Sequence, residues 1–231
     1  MPPRRQVNRN SESVDNYLKA ILSLGGVEHR RVTSTALAGH LGVAPASVTN
    51  MLQKLASAPT PMVEYERHRG VQLSAAGKRR ALEIVRHHRL IETFLYEVLD
   101  YPIEEVHEEA ERLEHFISER FEERIAAKLG HPRIDPHGHS IPTMEGEMTE
   151  PNSVPLTEVL QGGTFVIDSV SDRDAPTLRK LKASGIRPGA QLRVRKNTPA
   201  EGYSVSIGRS SRAVGLSREA AGDIRLVPST K

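Results

Sequence analysis

Within residues 33–57 a small residue, a glycine and an apolar residue stand at a telling spacing: Ala38, Gly42 and Val48. No other feature of the chain restricts its fold as tightly. The small side chain lets two helices approach closely, and the glycine enters a left-handed turn without a Cβ penalty. The apolar residue six positions on locks the second helix against the first. The spacing predicts a helix over 33–41, a turn at Gly42-Val43 and a helix over 44–57. This is the helix-turn-helix arrangement, whose last helix enters the major groove. A plain three-helix packing unit is the competing reading. The outward positions of the last helix are Ala44, Pro45, Ala46, Ser47, Thr49, Asn50 and Lys54. Asn pairs with the N6/N7 edge of adenine, and Ala or Thr methyls contact thymine methyl groups.

The flanking segments extend this unit. Residues 1–10 read as a disordered basic arm. Ser11 or Ser13 caps a helix whose face is Val14, Leu18, Ile21 and Leu22, and Gly25-Gly26 ends it. Residues 63–73 read as a hairpin with Gly70 near its tip. Arg67, His68 and Arg69 would then reach phosphates or the minor groove and make binding salt-dependent. The unit expected over 1–73 is a winged helix-turn-helix.

A second pattern follows. Ser74 caps a helix to about Leu99, with Leu82, Val85, Leu90, Phe94 and Leu95 buried, and it carries His87, His88 and Glu92. Tyr101-Pro102 breaks it. A second helix is expected from Ile103 to Gly130, with Val106, Ala110, Leu113, Phe116, Ile117, Phe121, Ile125 and Leu129 as its apolar stripe. His107, Glu111, Glu114 and His115 fall beside that stripe at i, i+4, i+7 and i+8. Two imidazoles and two carboxylates facing one way form a donor set for a divalent metal of intermediate hardness. His88 and Glu92 repeat the i, i+4 spacing. A solvated, charge-rich face is the alternative, and residues alone leave it open. His87 is expected to be exposed or to support a ligand, Glu108 and Glu109 to face solvent, and His131, His137 and His139 to be solvated loop residues. The apolar surface of this helical unit, expected over 74–142, suits a twofold homodimer.

Composition narrows the function classes. The formal charge is only +3, but Arg, Lys and His crowd the first ninety or so residues while the stretch from Glu97 to Glu123 is acidic. A polyanion partner at one end and a cation site in the middle would suit that layout. There is no cysteine, so disulfides and thiolate metal sites are excluded. Trp is absent and aromatics are few, which argues against base-stacking single-strand binding. No apolar span of membrane length and no secretory signal are evident, so a cytoplasmic protein without membrane contact is expected.

Residues 143–152 mix Pro, Gly and Glu and read as a linker. In 153–231, strands are expected at 164–170, 191–196, 203–207, about 212–216 and 223–227, with a short helix after Pro176. Short strands separated by turn residues suggest a small barrel. The whole is an α+β chain: winged helix-turn-helix, helical unit, small β-barrel.

This order of elements, with His-Arg-Leu-Ile-Glu at 88–92 and Val-His-Glu-Glu-Ala-Glu-Arg-Leu-Glu-His at 106–115, resembles the iron/manganese-dependent repressors of the diphtheria toxin repressor family over nearly the whole chain. The resemblance implies a primary metal site at Glu111, Glu114, His115 and Asn16, and an ancillary site at His88, Glu92 and His107. It places Ser47 and Asn50 toward DNA. It also implies an SH3-like last domain that lends two side chains to the ancillary metal; Asp172 matches one such position, while Ser169 departs from the family's Glu. Glu111 stands where iron-type members carry Cys, which favours Mn(II) over softer ions. Asn16 is a neutral oxygen donor where manganese-type members carry Asp. Lys19 replaces a second carboxylate, which argues for two separated sites rather than a two-metal cluster. The implied function is a Mn(II)- or Fe(II)-dependent repressor of metal-homeostasis genes, a homodimer on palindromic double-stranded operator DNA. A metal-independent winged-helix regulator and, remotely, a metallohydrolase are the alternatives.

Overall fold

The first helix, α1 (Arg9–Gly25), carries its apolar face where the 3.6-residue period places it: Leu18 and Ile21 are buried together with Tyr17. The structure, a computed structural model, describes residues 9–26, 30–149, 152–159, 162–194, 202–208, 210 and 212–229. Most of the expected basic arm therefore lies outside the described residues; its last two positions belong to α1. Helices α2 (Ser34–Leu41) and α3 (Pro45–Ala56) follow. The Thr33 hydroxyl accepts from the Ala36 N–H at 3.1 Å and caps α2. Gly42 ends it at φ 64°, the left-handed conformation expected there. Ala38 and Val48 are both buried, in one core with Leu18, Leu37, Leu52 and Val71. Strands β1 (Val63–Glu66) and β2 (Gly70–Leu73) pair antiparallel, Val63 opposite Leu73, and form the wing.

Helix α4 (Ala75–Val98) begins behind Ser74, whose Oγ accepts from the Gly77 N–H at 3.1 Å. The long helix expected from 103 to 130 is instead two: α5 (Val106–Leu113) and α6 (Glu119–Lys128). Ser118 is the reason. Its hydroxyl accepts from the Phe121 N–H and its carbonyl from the Glu122 N–H, which starts a new helix. The continuous apolar period concealed that cap. Glu114 and His115 accordingly sit in a turn rather than on α5. Leu113, Phe116 and Phe121, expected on the buried stripe, are exposed.

The C-terminal part holds a six-stranded antiparallel sheet of order β3-β8-β4-β5-β6-β7. The strands are β3 (Val154–Pro155), β4 (Gly163–Val170), β5 (Gln191–Val194), β6 (Tyr203–Ile207), β7 (Val214–Leu216) and β8 (Ile224–Pro228). Two short helices, α7 (Ala175–Ala183) and α8 (Arg218–Gly222), accompany it. Leu156, Ile167, Leu192, Val205, Ile224 and Leu226 fill its core. In the expected linker, Thr143 and Glu147 close a hydrogen-bonded turn. The described residues fall into two compact units. One holds those up to His88 with Arg112–Glu122 and Pro142–Met148; the other holds Arg89–Glu111, Glu123–Ile141 and those from Thr149 on. No helix among the described residues is long and apolar enough to cross a membrane.

Candidate metal centre

In the first unit, α1, the first half of α4 and the turn after α5 bring charged side chains together out of solvent. Glu114 is 1% exposed. Its Oε1 lies 2.7 Å from Lys19 Nζ and 3.3 Å from His115 Nε2, and its Oε2 accepts from His88 Nδ1. His115 Nδ1 lies 3.4 Å from Asp15 Oδ2. Arg80 holds Asp15 through both carboxylate oxygens, at 2.8 and 2.7 Å. Burial alone would raise the Glu114 carboxyl; the hydrogen bond and charge of His88, then Lys19, outweigh it and hold the group below its ordinary 4.5. For Asp15 burial again opposes, and His115 and Arg80 win, leaving it below 3.8.

Two donors in this region have buried atoms poorly satisfied: Asn16 Oδ1 has no hydrogen bond, and His115 Nδ1 has the long 3.4 Å contact with Asp15. Buried polar atoms are normally satisfied, so a carbonyl oxygen and an imidazole nitrogen left this way, beside a buried carboxylate, fit a divalent cation. Asn16 also lines a groove of about 380 Å³ with Glu12, Ser13, Tyr17, Leu41 and Val43. Sequence reasoning missed Asp15. A charge next to Val14 and three before Leu18, on the buried side of α1, was the available signal. Of the two expectations for His87, exposure does not hold: it is 4% exposed. Its Nε2 meets Glu122 Oε2 at 3.0 Å and its Nδ1 the Glu114 carbonyl at 3.2 Å, so it braces the turn that carries Glu114.

The second unit holds a larger donor set. Ligand atoms of Glu92, His107 and Asp172 lie within 4.8 Å of one another, as do those of Asp135, His137 and His139. His107 Nδ1 is 3.3 Å from Glu92 Oε1 and 3.5 Å from Asp172 Oδ2. His137 Nδ1 is 3.6 Å from the other Glu92 oxygen, and His139 Nδ1 is 3.9 Å from Asp172 Oδ2. Glu111 is half-buried, with Oε1 4.0 Å from His107 Nε2. Asp172 is thus drawn in with Glu92 and His107.

His137 corrects the expectation of a solvated loop histidine: it is 0% exposed. Its Nε2 meets the Ile103 carbonyl at 3.2 Å, and its own carbonyl accepts from the Val170 N–H on β4. Burial alone would lower its pKa, but Glu92, then Asp135 and Asp172, push it up to about 9. Next to it, Gly138 has φ 93°, and a Cβ there would sit 2.1 Å from the Asp168 carbonyl oxygen. The loop can be this close to β4 only because the residue is glycine.

Several of the residues expected to face DNA cluster too. Thr49 and Asn50 of α3, Arg67 and His68 of the wing, and Thr33 to Thr35 at the start of α2 line one concave surface of about 540 Å³. Ala44, Ala46, Ser47, Asn50, Lys54, Arg67 and Arg69 are exposed; Thr49 is half-buried, its hydroxyl donating to the Pro45 carbonyl at 3.1 Å. The α2 start was not anticipated.

Residues 10–71 match the family described as iron dependent repressor, N-terminal DNA binding domain. Residues 74–143 match its metal binding and dimerisation domain, and 154–228 match the FeoA domain. A solved structure of a manganese-dependent transcriptional repressor in complex with manganese is 37% identical, with a TM-score of 0.86, over 94% of this chain and 100% of its own. The chain belongs to the iron-dependent repressor family, the diphtheria toxin repressor group. Within the family it is 29% identical to the iron-dependent repressor IdeR of Mycobacterium tuberculosis over 215 residues, 87% of this chain and 91% of that one. Another family structure, ScaR with bound Zn2+, is 30% identical with a TM-score of 0.79, over 94% of this chain and 99% of its own.

Proposed function

We propose that this family member is a Mn(II)-responsive transcriptional repressor, able to use Fe(II), that binds a palindromic operator as a homodimer in the cytoplasm and controls metal-homeostasis genes. One observation carries the reading. The buried Glu114–His115–Asp15 group and the unbonded Asn16 oxygen share a compact unit with the helix-turn-helix, and α1 supplies residues to both. Glu111, Glu114, His115 and Asn16 would hold the primary ion, and Glu92, His107, Asp172 and His88 the ancillary one. A bound dication supplies the positive charge around which these carboxylate, amide and imidazole donors converge. All are hard or borderline donors, which suits Mn(II) and Fe(II). Asp135 and His137 add two donors to the ancillary region.

Through α1 the primary donors act on the reading head. Leu18 and Ile21 of α1 pack with Leu37 of α2 and Val48 and Leu52 of α3. A fixed α1 therefore fixes α3. Paired α3 helices must lie about 34–36 Å apart, or a multiple of this, to enter successive major grooves. The exposed Leu113, Phe116 and Phe121 supply apolar surface for the partner copy. We read the C-terminal sheet as an SH3-like barrel.

Duplexes selected from a randomised pool test the reading. Retention should need Mn(II), vanish with chelator, and be lost in Glu111→Ala and His115→Ala proteins that remain folded dimers. Equal specific affinity with and without metal overturns the sensor reading; normal Mn(II) response in both variants overturns the ligand assignment.

A further inference from the structure

We propose that Lys19 is a resident cation on Glu114 that a metal ion must displace, and that it sets the metal concentration at which this protein responds. The inference rests on the metal-responsive reading above.

Glu114 has a side chain with no solvent exposure, and its Oε1 is 2.7 Å from Lys19 Nζ. The same oxygen lies 3.3 Å from His115 Nε2, so the ammonium and the imidazole share one carboxylate oxygen. An ionised carboxylate buried without a counter-charge is strongly unfavourable. In the metal-free protein Lys19 supplies that charge at Oε1, while His88 holds Oε2. An ion held by Glu114 and His115 would supply it instead, and it would then face an ammonium at contact distance in a site poor in water, where like charges repel strongly. Lys19 can leave. It projects from α1 on a flexible four-carbon stem, and its side chain is 20% exposed while Glu114 is closed off. The expected reaction is an exchange of cations at one carboxylate, and the strength of the resident pair subtracts from the apparent affinity of the incoming ion.

The sign of this effect separates it from a structural role. Damaged packing weakens metal binding, whereas removal of a competitor strengthens it. Lys19→Met keeps the stem and removes the charge. Titration with Mn(II) against a competing chelator should show binding tighter by about tenfold or more, equivalent to about 1.4 kcal/mol. Lys19→Gln should shift in the same direction, and Lys19→Arg, which keeps a cation, should not tighten binding. The unmutated protein gives a second readout. Reductive methylation followed by mass spectrometry of the Lys19 peptide should label Lys19 several-fold faster in the Mn(II)-loaded protein than in the metal-free one. If the wild type binds Mn(II) and both neutral variants bind it no more tightly, or if Lys19 labelling does not rise on loading, the role of Lys19 is refuted while the metal reading stands. If neither wild type nor variants bind Mn(II), the metal reading falls and takes this inference with it.

Discussion

His137 offers a test that needs no metal and no DNA. Its ring is fully buried, and its pKa is raised from 6.5 to about 9 because Glu92, Asp135 and Asp172 outweigh the desolvation of the charged form. At about 1.4 kcal/mol per factor of ten in protonation equilibrium, the charged ring adds about 3 kcal/mol to folding stability. The folded-state value lies above the unfolded one, so this contribution is complete below the ordinary histidine pKa and disappears as pH rises through about 9. Between about pH 7 and about pH 9.5 the metal-free protein should lose most of this contribution, roughly 2 kcal/mol. Glu92→Gln removes the largest contribution raising the pKa and leaves only Asp135 and Asp172 against burial, so the same pH range should cost that variant less. Urea unfolding followed by far-UV circular dichroism measures the loss, and NMR titration of the ring protons reads the pKa directly. A ring that titrates at or below the ordinary histidine value, or a wild-type stability curve as flat as that of Glu92→Gln, would refute the reasoning.

Two further outcomes follow from single contacts. Gly138→Ala would place a Cβ 2.1 Å from the Asp168 carbonyl oxygen at φ 93°, so the loop must leave β4; a loss of about 2 kcal/mol or more is expected, read as a lower unfolding midpoint. Arg67→Ala and Arg69→Ala should each weaken operator binding across all sequences alike and shallow the slope of log K against log salt by about one, as removal of a phosphate contact does; a change confined to one base position would show base reading instead.

The parts legible in the sequence are those whose cause is local. Ala38, Gly42 and Val48 specify a helix pair within eleven residues, and the structure buries the two ends and puts the glycine at positive φ. The i, i+4 spacings of His88 with Glu92 and of His107 with Glu111 needed only a helix. What escaped depends on distant chain. The loop holding Asp135 and His137 looks solvated because Pro and Gly surround it, yet its burial comes from β4, about thirty residues on, through the Val170 N–H and the bare Cα of Gly138. Asp15 escaped for a related reason. A carboxylate on a buried face is costly unless paired, and its partner Arg80 lies 65 residues away. The break after α5 was hidden because the apolar period runs on through Phe116 and Phe121, while a single serine, Ser118, sets the helix boundary.

The two donor regions share a design that bears on how such a protein can sense a metal without depending on it to fold. Each buried carboxylate central to a site already faces a cation of the protein itself: Lys19 at Glu114, and the His137 ring, charged near neutral pH, at Glu92. Neither region is an uncompensated cluster of negative charge in the metal-free protein. Filling an empty acidic cage would make the ion part of the folding free energy, as in small metal-dependent domains. Exchanging one cation for another leaves the fold in place and lowers the apparent affinity by the strength of the resident pair. The difference between the two states then lies in geometry: an ammonium satisfies one oxygen of Glu114, while a dication can draw Glu114, His115 and Asn16 toward a common centre. Because Asn16 belongs to α1, and α1 packs on both helices of the reading motif, that convergence is delivered where DNA is met.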